Sequence, residues 1–332
     1  MSRIASQSTV QPDRRGLASR NEIATMSLLA ANVIWGSSFV ATKPLLDSLA
    51  PATLAVSRLV IALAVLFPIL LKRGRRPDLR PGTAILGATG FFLVFYLQNL
   101  GLERTSATNA ALLQSCAPAI TLVIAFAIVR RVPSLSRGAA ILASVAGVAI
   151  LVGVESGFQS MSINHGDGLI LVSALALAVY FVVGKELFSS RDSLALVTGA
   201  SIYGLLMLAP FSAVEIASGG TSAPGIHGTL CLVYLGLGAS ALAYVLEATG
   251  LRQFEADQVA TFTNLGPVIG VVAAMVFLGE GLGSWEYIGG IVVVAGAWLA
   301  LKADSKALIK GETLPRASST ELPIPQSSTE DL

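Results

Sequence analysis

Long apolar segments dominate the sequence, and the pattern of its second half repeats that of its first half. Residues 101–153 align with residues 250–302 without a gap, which places Pro118 opposite Pro267. Weak internal symmetry of this kind indicates a membrane protein built from two structural repeats. Further aligned pairs are Gly101 with Gly250, Ala107 with Ala256, Ala111 with Ala260, and 39–43 with 181–185.

The composition also favours a membrane protein. Of 332 residues, 54% are hydrophobic and 13% are charged, whereas soluble domains carry about 25% charged residues. The net charge of +2 is too small to indicate a nucleic-acid partner. The two cysteines, Cys116 and Cys231, lie in separate apolar segments without the spacing of a metal site, so we expect both to be small core residues.

Ten apolar segments are long enough to span a bilayer, which requires about 20 residues per helix. Five fall in each half, so we predict two five-helix units at 22–154 and 167–302, with disordered polar tails at 1–21 and 303–332. The predicted spans are 23–45, 52–71, 82–102, 107–129, 135–154, 167–187, 194–216, 227–250, 256–278 and 284–302.

The basic residues indicate how these spans are oriented. Lysines and arginines concentrate in the even-numbered loops and in both tails, and only Lys43 and Arg104 fall in odd-numbered loops. The positive-inside rule therefore predicts that both termini lie in the cytoplasm. Because each unit has an odd number of spans, the two units would have opposite orientations, which is the arrangement of inverted-repeat secondary transporters.

Motifs for catalysis or for ATP-driven transport are missing from the sequence. The only histidines, His165 and His227, lie in predicted outer loops, and there is no HExxH motif, aspartate-rich motif or phosphate-binding loop. Ser37 and Ser38 have no histidine within the spans to serve as a base. We therefore expect no enzyme, no metal and no cofactor. A channel is the less favoured alternative, because no ring of charge or filter-like loop is evident within the spans.

Two ionisable residues lie inside predicted spans, where charge is costly and often functional. Arg58, in the second span, either anchors the outer interface by snorkelling outward or by pairing with Asp47 or Glu103, or contacts an anionic group of a substrate. Glu247, in the eighth span, either pairs with Arg252 or Lys185 at the cytoplasmic interface, or binds a proton or a substrate ammonium group.

Uncharged polar and aromatic side chains occupy mid-depth positions in several spans. Hydrogen bonding between helices is the simplest role for any one of them, but together they indicate a cavity for a small amphipathic molecule. Pro118 and Pro267, at equivalent positions of the two halves, are candidate hinges because each would loosen a helix beside that cavity. The candidate substrate-binding residues are Asn32, Trp35, Tyr96, Gln98, Asn99, Gln114, Tyr180, Tyr244 and Asn264.

Several motifs carry a family resemblance when taken in order. Residues 32–39 read NVIWGSSF, the second span contains Ser57-Arg58-Leu59, and residues 277–280 read FLGE before a glycine-containing last span. With the two equivalent prolines, these features resemble the EamA-type transporters of the drug/metabolite transporter superfamily over residues 22–302. One departure is visible, since residues 129–131 read VRR where the second repeat has LGE at 278–280.

The resemblance implies an all-α membrane protein of ten helices, arranged as two inverted five-helix repeats around a central cavity. It also implies a multi-pass protein of the bacterial inner membrane that exports small metabolites, and the chain looks closest to the aromatic amino-acid exporters of the superfamily. The expected partners are a small-molecule substrate and the lipid bilayer. A broad drug or lipophilic-cation exporter and a channel-like metabolite facilitator are the alternatives.

Overall fold

Helices account for all regular structure in the residues that the structure describes. The computed structural model describes residues 14–129, 164–263 and 265–280, and beyond these only Ile288, Ile291, Val292 and Ala295. The helices are α1 (Arg14–Thr42), α2 (Pro51–Lys72), α3 (Pro81–Leu86), α4 (Val94–Leu102), α5 (Ala107–Gln114), α6 (Ala117–Val129), α7 (His165–Ser190), α8 (Ser193–Ala217), α9 (Ile226–Tyr234), α10 (Ala243–Gln253), α11 (Ala256–Phe262) and α12 (Leu265–Leu278).

Eight helical stretches of the described chain are long and apolar enough to cross a membrane. They match the first four predicted spans and the sixth to ninth. The predicted fifth span, 135–154, lies outside the described residues, and the tenth, 284–302, lies almost wholly outside them. The eight stretches are Arg20–Asp47, Pro51–Lys72, Pro81–Leu102, Ala107–Ala127, His165–Ser190, Ser193–Ala217, Ile226–Gln253 and Gln258–Leu278.

Two of these stretches contain a π-helical segment that the sequence analysis did not predict. Gly87–Leu93 joins α3 to α4, and Leu235–Leu242 joins α9 to α10. The two segments occupy equivalent positions in the aligned halves. A π-helical segment shifts the helical face that follows it and is frequent at functional sites, so both segments determine which residues of α4 and α10 face inward.

Two other stretches are broken just before the equivalent prolines. The break between α5 and α6 falls at 115–116, ahead of Pro118, and in the second half α11 ends at Phe262 with a turn at Thr263, ahead of Pro267. The backbone tightens at each break through i to i−3 hydrogen bonds, such as Cys116 N–H to the Leu113 carbonyl and Gly266 N–H to the Thr263 carbonyl. A proline has no N–H for the preceding turn, which explains why both helices are interrupted here.

Two equivalent lysines cap helix ends within their own halves. The Lys43 ammonium group donates to the carbonyl oxygen of Thr105 at 2.8 Å, and Lys185 donates to the carbonyl oxygen of Phe254 at 2.8 Å. Cations are favourable at the carboxyl ends of helices, where carbonyl groups lack intrahelical partners. The repeated capping supports the alignment of the two halves.

Helices of the first half pack mainly against helices of the second half. α1 contacts α10 and α12, α2 contacts α8, α4 contacts α7, and α5 contacts α12. The closest approach of α1 and α12 depends on glycine, since a Cβ at Gly36 would lie 2.4 Å from the carbonyl oxygen of Gly266. These contacts enclose a space between the halves, while large apolar side chains such as Val123 and Leu206 are exposed on the outside, as expected of a surface that faces lipid.

Candidate functional site

A cavity lies between the two halves, at the level of the π-helical segments and the helix breaks. Its volume is about 60 Å³, enough for about five water molecules. The wall combines glycine, aromatic and amide residues with one charged residue. The predicted site residues in its lining are Asn32, Trp35, Arg58, Gln98, Gln114, Tyr244 and Pro267.

The aromatic wall is built around Tyr244. Its ring meets that of Trp35 edge to face, with centres 5.1 Å apart, and lies 4.2 Å from the ring of Phe91. The Tyr244 hydroxyl donates to the carbonyl oxygen of Gly90 at 2.6 Å. Gly90 lies in the π-helical segment Gly87–Leu93. The indole N–H of Trp35 donates to the carbonyl oxygen of Ala239 at 3.0 Å. Both rings are therefore held by their polar ends, and both contribute to the lining of the cavity.

Arg58 supplies the one charge among the described residues of the cavity wall. It is 3% exposed, and its Nε donates to the Ser240 hydroxyl at 2.7 Å. The guanidinium carbon lies 3.9 Å from the ring centre of Phe95, a cation–π arrangement. Among the described residues no carboxylate forms an ion pair with it, so the structure does not show the predicted alternative of an interfacial pair with Asp47 or Glu103.

The amide side chains of the cavity retain unused hydrogen-bonding groups. The Gln114 Oε1 accepts from the Ser173 hydroxyl at 3.1 Å, while its Nε2 has no partner among the described residues. The Asn32 Nδ2 donates to the carbonyl oxygen of Leu28 at 2.7 Å, which leaves its Oδ1 as an acceptor. Gln98, on α4, completes the amide set.

Two predicted residues of α4 do not line the cavity. Tyr96 instead packs against Phe92 and against Phe211 of α8, with ring centres 6.1 and 5.2 Å away. The Asn99 amide donates to the carbonyl oxygen of Pro51 at 2.8 Å and links α4 to the start of α2. The cavity is lined by the neighbouring stripe of Phe95 and Gln98, because residues one position apart on a helix differ by about 100° in direction.

Tyr180 and Glu247 are buried close to the aromatic wall but do not line the cavity. Tyr180 is 0% exposed, and its ring centre lies 5.6 Å from that of Tyr244. Glu247 is 1% exposed. The Tyr180 hydroxyl and the Glu247 carboxyl group are neighbours, but their contact falls outside ordinary hydrogen-bond geometry, and neither has another partner among the described residues. Buried polar groups are rarely left unpaired, so this pair stands out from the surrounding apolar core.

The remaining predicted residues are the two candidate hinge prolines and Asn264. Pro267 lines the cavity, whereas its equivalent Pro118 lies at the start of α6 outside the lining. Asn264 falls at a position outside the described residues. No group of three or more histidine, cysteine or acidic side chains within the described ranges could hold a metal ion.

Sequence reasoning missed the partner of Arg58. Ser240 was not among the predicted polar residues, although it lies in the small-residue run 236–241, which reads GLGASA. Such runs allow helices to approach closely in membranes. Here the close approach brings α2 beside the π-helical segment, where a Cβ at Gly236 would lie 2.5 Å from the Ile61 side chain.

Comparison with known proteins identifies the fold family of this chain. A solved crystal structure with 20% sequence identity superposes with a TM-score of 0.65 and covers 83% of this chain and 97% of that one. An uncharacterized transporter of Archaeoglobus fulgidus is 29% identical over 286 residues, covering 84% of this chain and 97% of the relative. A probable terminal-alkyne amino-acid exporter of Streptantibioticus cattleyicolor is 28% identical over 280 residues, covering 83% and 92%.

The sequence profile of a transporter family matches both halves of the chain separately. The two matched regions are residues 23–153 and 164–302. The apolar helices and the transporter relatives together indicate a multi-pass protein of the inner membrane. The chain belongs to the EamA-like transporter family of the drug/metabolite transporter superfamily.

Proposed function

We propose that the protein is a secondary transporter that exports small amphipathic metabolites, with aromatic and neutral amino acids as the preferred class. The observation that carries this proposal is the cavity between the two halves, which combines aromatic rings, unused amide groups and a single charge. The Streptantibioticus relative bears the name of an amino-acid exporter, which supports the same substrate class for this chain.

The proposed architecture has ten helices in two inverted five-helix repeats, at 22–154 and 167–302. Cytoplasmic tails at 1–21 and 303–332 flank them, and the first is helical rather than disordered from Arg14 onward. The distribution of lysine and arginine supports cytoplasmic termini. The equivalent π-helical segments and the equivalent helix breaks support the internal symmetry. An inverted repeat allows the two arrangements of the halves that alternating access requires.

In this proposal different cavity residues bind different parts of the substrate. The rings of Trp35 and Tyr244 contact its apolar part, and the amides of Asn32, Gln98 and Gln114 bond its polar groups. Tyr96, Asn99, Tyr180 and Asn264 belong to the wider set of predicted site residues. In the present conformation Tyr96, Asn99 and Tyr180 contact neighbouring helices or aromatic rings and do not line the cavity.

The transport cycle uses the two broken helices as hinges. The helices are interrupted at 115–116 and at Thr263, just before Pro118 and Pro267, so α6 and α12 can tilt relative to α5 and α11. We place the proton site of a coupled cycle at Glu247, because an ionised carboxylate without partners is costly in a buried apolar environment. Exposure of Glu247 to water in the other arrangement would let the proton leave.

The alternatives make different demands on the cavity. An exporter of lipophilic cations needs an acidic group to face its substrate, and the described lining contains Arg58 but no acidic residue. A channel-like facilitator would need a continuous polar path, whereas this cavity is small and largely walled by apolar groups. The observed lining therefore favours a carrier for neutral or zwitterionic molecules.

An export assay in cells tests the proposed function. Cells producing the protein are loaded with a phenylalanine-containing dipeptide, which cytoplasmic peptidases hydrolyse, and the excreted phenylalanine is measured over time. We expect faster excretion than in cells producing the Trp35→Ala variant at the same membrane level. Excretion equal to that of cells without the protein would overturn amino-acid export.

A further inference from the structure

We propose that Arg58 binds the carboxylate of the transported molecule, so that the cavity selects substrates with one carboxylate group. This inference rests on the proposed function and names the chemical feature that the site recognises. The inference rests on Arg58, a buried and permanently charged side chain in the cavity wall. Arg58 has an aromatic partner and a neutral hydrogen-bond partner, but no counter-ion among the described residues.

The position of Arg58 is fixed from two sides. Its Nε is held by the Ser240 hydroxyl at 2.7 Å, and its guanidinium plane lies over the Phe95 ring at 3.9 Å. A guanidinium group has five N–H donors. The four on its terminal nitrogens make no hydrogen bond to any residue that the structure describes. The side chain is thus preorganised, with its terminal fork still available.

The charge of this side chain needs a partner. Arginine cannot lose its proton in proteins, and an unpaired charge within a membrane span is costly. Glu247 does not provide the counter-charge, because no ion pair joins it to Arg58 among the described residues. A substrate carboxylate can accept two parallel hydrogen bonds from the guanidinium fork, the strongest geometry available to this pair.

The other polar groups of the cavity complement a carboxylate that carries a polar neighbour. The free Nε2 of Gln114 is an additional donor. The Oδ1 of Asn32 is an acceptor suited to an ammonium or hydroxyl group on the same molecule. Because Arg58 is the only charged residue in the described lining, a monoanion or a zwitterion matches the site better than a phosphate dianion or a cation.

A binding experiment with three probes of matched shape tests this inference. Purified wild-type protein is titrated with phenylalanine, 3-phenylpropionate and phenethylamine, and the melting temperature is followed, since a ligand that binds the folded state raises it. We expect the two carboxylates to raise the melting temperature and phenethylamine to leave it unchanged. Equal stabilisation by phenethylamine, or no stabilisation by either carboxylate, would overturn the proposal.

Variants assign the effect to Arg58. Arg58→Gln removes the charge, and Arg58→Lys keeps the charge but loses the planar fork. We expect Arg58→Gln to raise the half-saturating concentration of 3-phenylpropionate by about tenfold or more, and Arg58→Lys by less. Arg252→Gln, at an exposed arginine of α10, is the matched control. Unchanged carboxylate binding by Arg58→Gln would overturn the role of Arg58. If that variant does not fold, the comparison of probes on the wild type decides.

The same probes separate this inference from the proposed function. Carboxylate-specific binding with no transport of phenylalanine would reject amino-acid export and leave the carboxylate site standing. Saturable phenylalanine transport that is unchanged in Arg58→Gln would support the carrier and reject the role of Arg58.

Discussion

The carboxylate of Glu280 accepts hydrogen bonds from both the backbone N–H and the hydroxyl of Thr108, at 3.0 and 2.6 Å. A third bond comes from the Ala107 N–H at 3.1 Å. Glu280 follows α12 in the second half of the chain, and these donors open α5 in the first half. The first N–H groups of a helix lack intrahelical partners, so an acidic residue of one half caps a helix of the other half.

The same arrangement occurs at the start of α2. Glu215, near the end of α8, accepts from the Thr53 N–H at 2.8 Å and from the Thr53 hydroxyl at 2.9 Å. Both caps lie at the ends of the helices that the positive-inside rule places outside. The internal alignment pairs Glu280 with Arg131, and arginine has no acceptor with which to form such a cap. Arg131 therefore cannot form the equivalent of the Glu280 cap.

Removing the Glu280 cap should loosen the outer side of the bundle. We expect Glu280→Ala to reduce the free energy of unfolding by about 1–2 kcal/mol, the range for losing a helix cap, and Glu280→Gln to have a smaller effect. With both native cysteines replaced and a single cysteine at Ser38 in the cavity wall, the variant should react faster with an impermeant maleimide applied from outside. Glu186→Gln, at an exposed glutamate, is the control. Equal labelling rates would show that Glu280 does not hold the outer side closed.

The aromatic and amide walls should be required for transport but not for folding. We expect Trp35→Ala and Gln114→Ala to reduce phenylalanine transport by about tenfold or more, because each removes a contact in a small cavity. Both should retain wild-type levels of folded protein in the membrane. Trp35→Phe keeps a ring but loses the bond to the Ala239 carbonyl, so it should be less impaired. Normal transport by both alanine variants would remove these residues from the site.

Substitution of Glu247 tests the coupling of transport to protons. Glu247→Gln keeps the shape of the side chain and removes its ability to exchange a proton. We expect exchange of phenylalanine across the membrane to persist, and the stimulation of net export by an imposed pH gradient to be lost. Glu186→Gln should behave as the wild type. If Glu247→Gln responds to the gradient as the wild type does, Glu247 is not the proton site.

Asp78 should contribute a pH-dependent part of the stability at the loop between α2 and α3. Burial of Asp78 opposes its charged form, but hydrogen bonds from the Arg80 N–H and the Thr83 hydroxyl, with the nearby Arg191 guanidinium, hold its pKa below the ordinary value. The stabilisation from the charged form of Asp78 is fully present above the unfolded-state pKa of about 3.9. It is lost as the pH falls through the lower folded-state pKa.

We therefore expect Asp78→Asn to lower the melting temperature at neutral pH. The difference from the wild type should shrink below about pH 4, where the native carboxyl group also becomes protonated. Asp47→Asn, at an exposed aspartate with no described ion pair, should leave the melting temperature unchanged at both pH values. A difference between Asp78→Asn and the wild type that is constant across this pH range would contradict this account.

The sequence predicted the spans well because hydropathy reports directly on burial in lipid. Eight predicted spans correspond to helices in the described chain. The prolines at 118 and 267 also identified the two helix breaks, since proline removes a backbone donor wherever it stands. Family membership followed from the order of motifs, and the matches at 23–153 and 164–302 confirm it.

The direction in which individual side chains point was harder to predict. On α4 the sequence predicted Tyr96, Gln98 and Asn99 as site residues, but of these three only Gln98 lines the cavity, together with Phe95. The π-helical segment at Gly87–Leu93 changes the direction in which the side chains of the following helix point. No residue within the segment predicts that change. The contact of Arg58 with Ser240 likewise depends on how two distant helices pack, which a periodic pattern within one helix does not determine.

Counterflow in proteoliposomes tests the central claim, a carrier with one binding site that alternates between the two sides of the membrane. Vesicles are loaded with unlabelled phenylalanine and diluted into a trace of labelled phenylalanine. We predict a transient, saturable accumulation of label above its equilibrium level, abolished in Trp35→Ala. Uptake that rises only to equilibrium and does not saturate, from correctly inserted protein, would contradict the account.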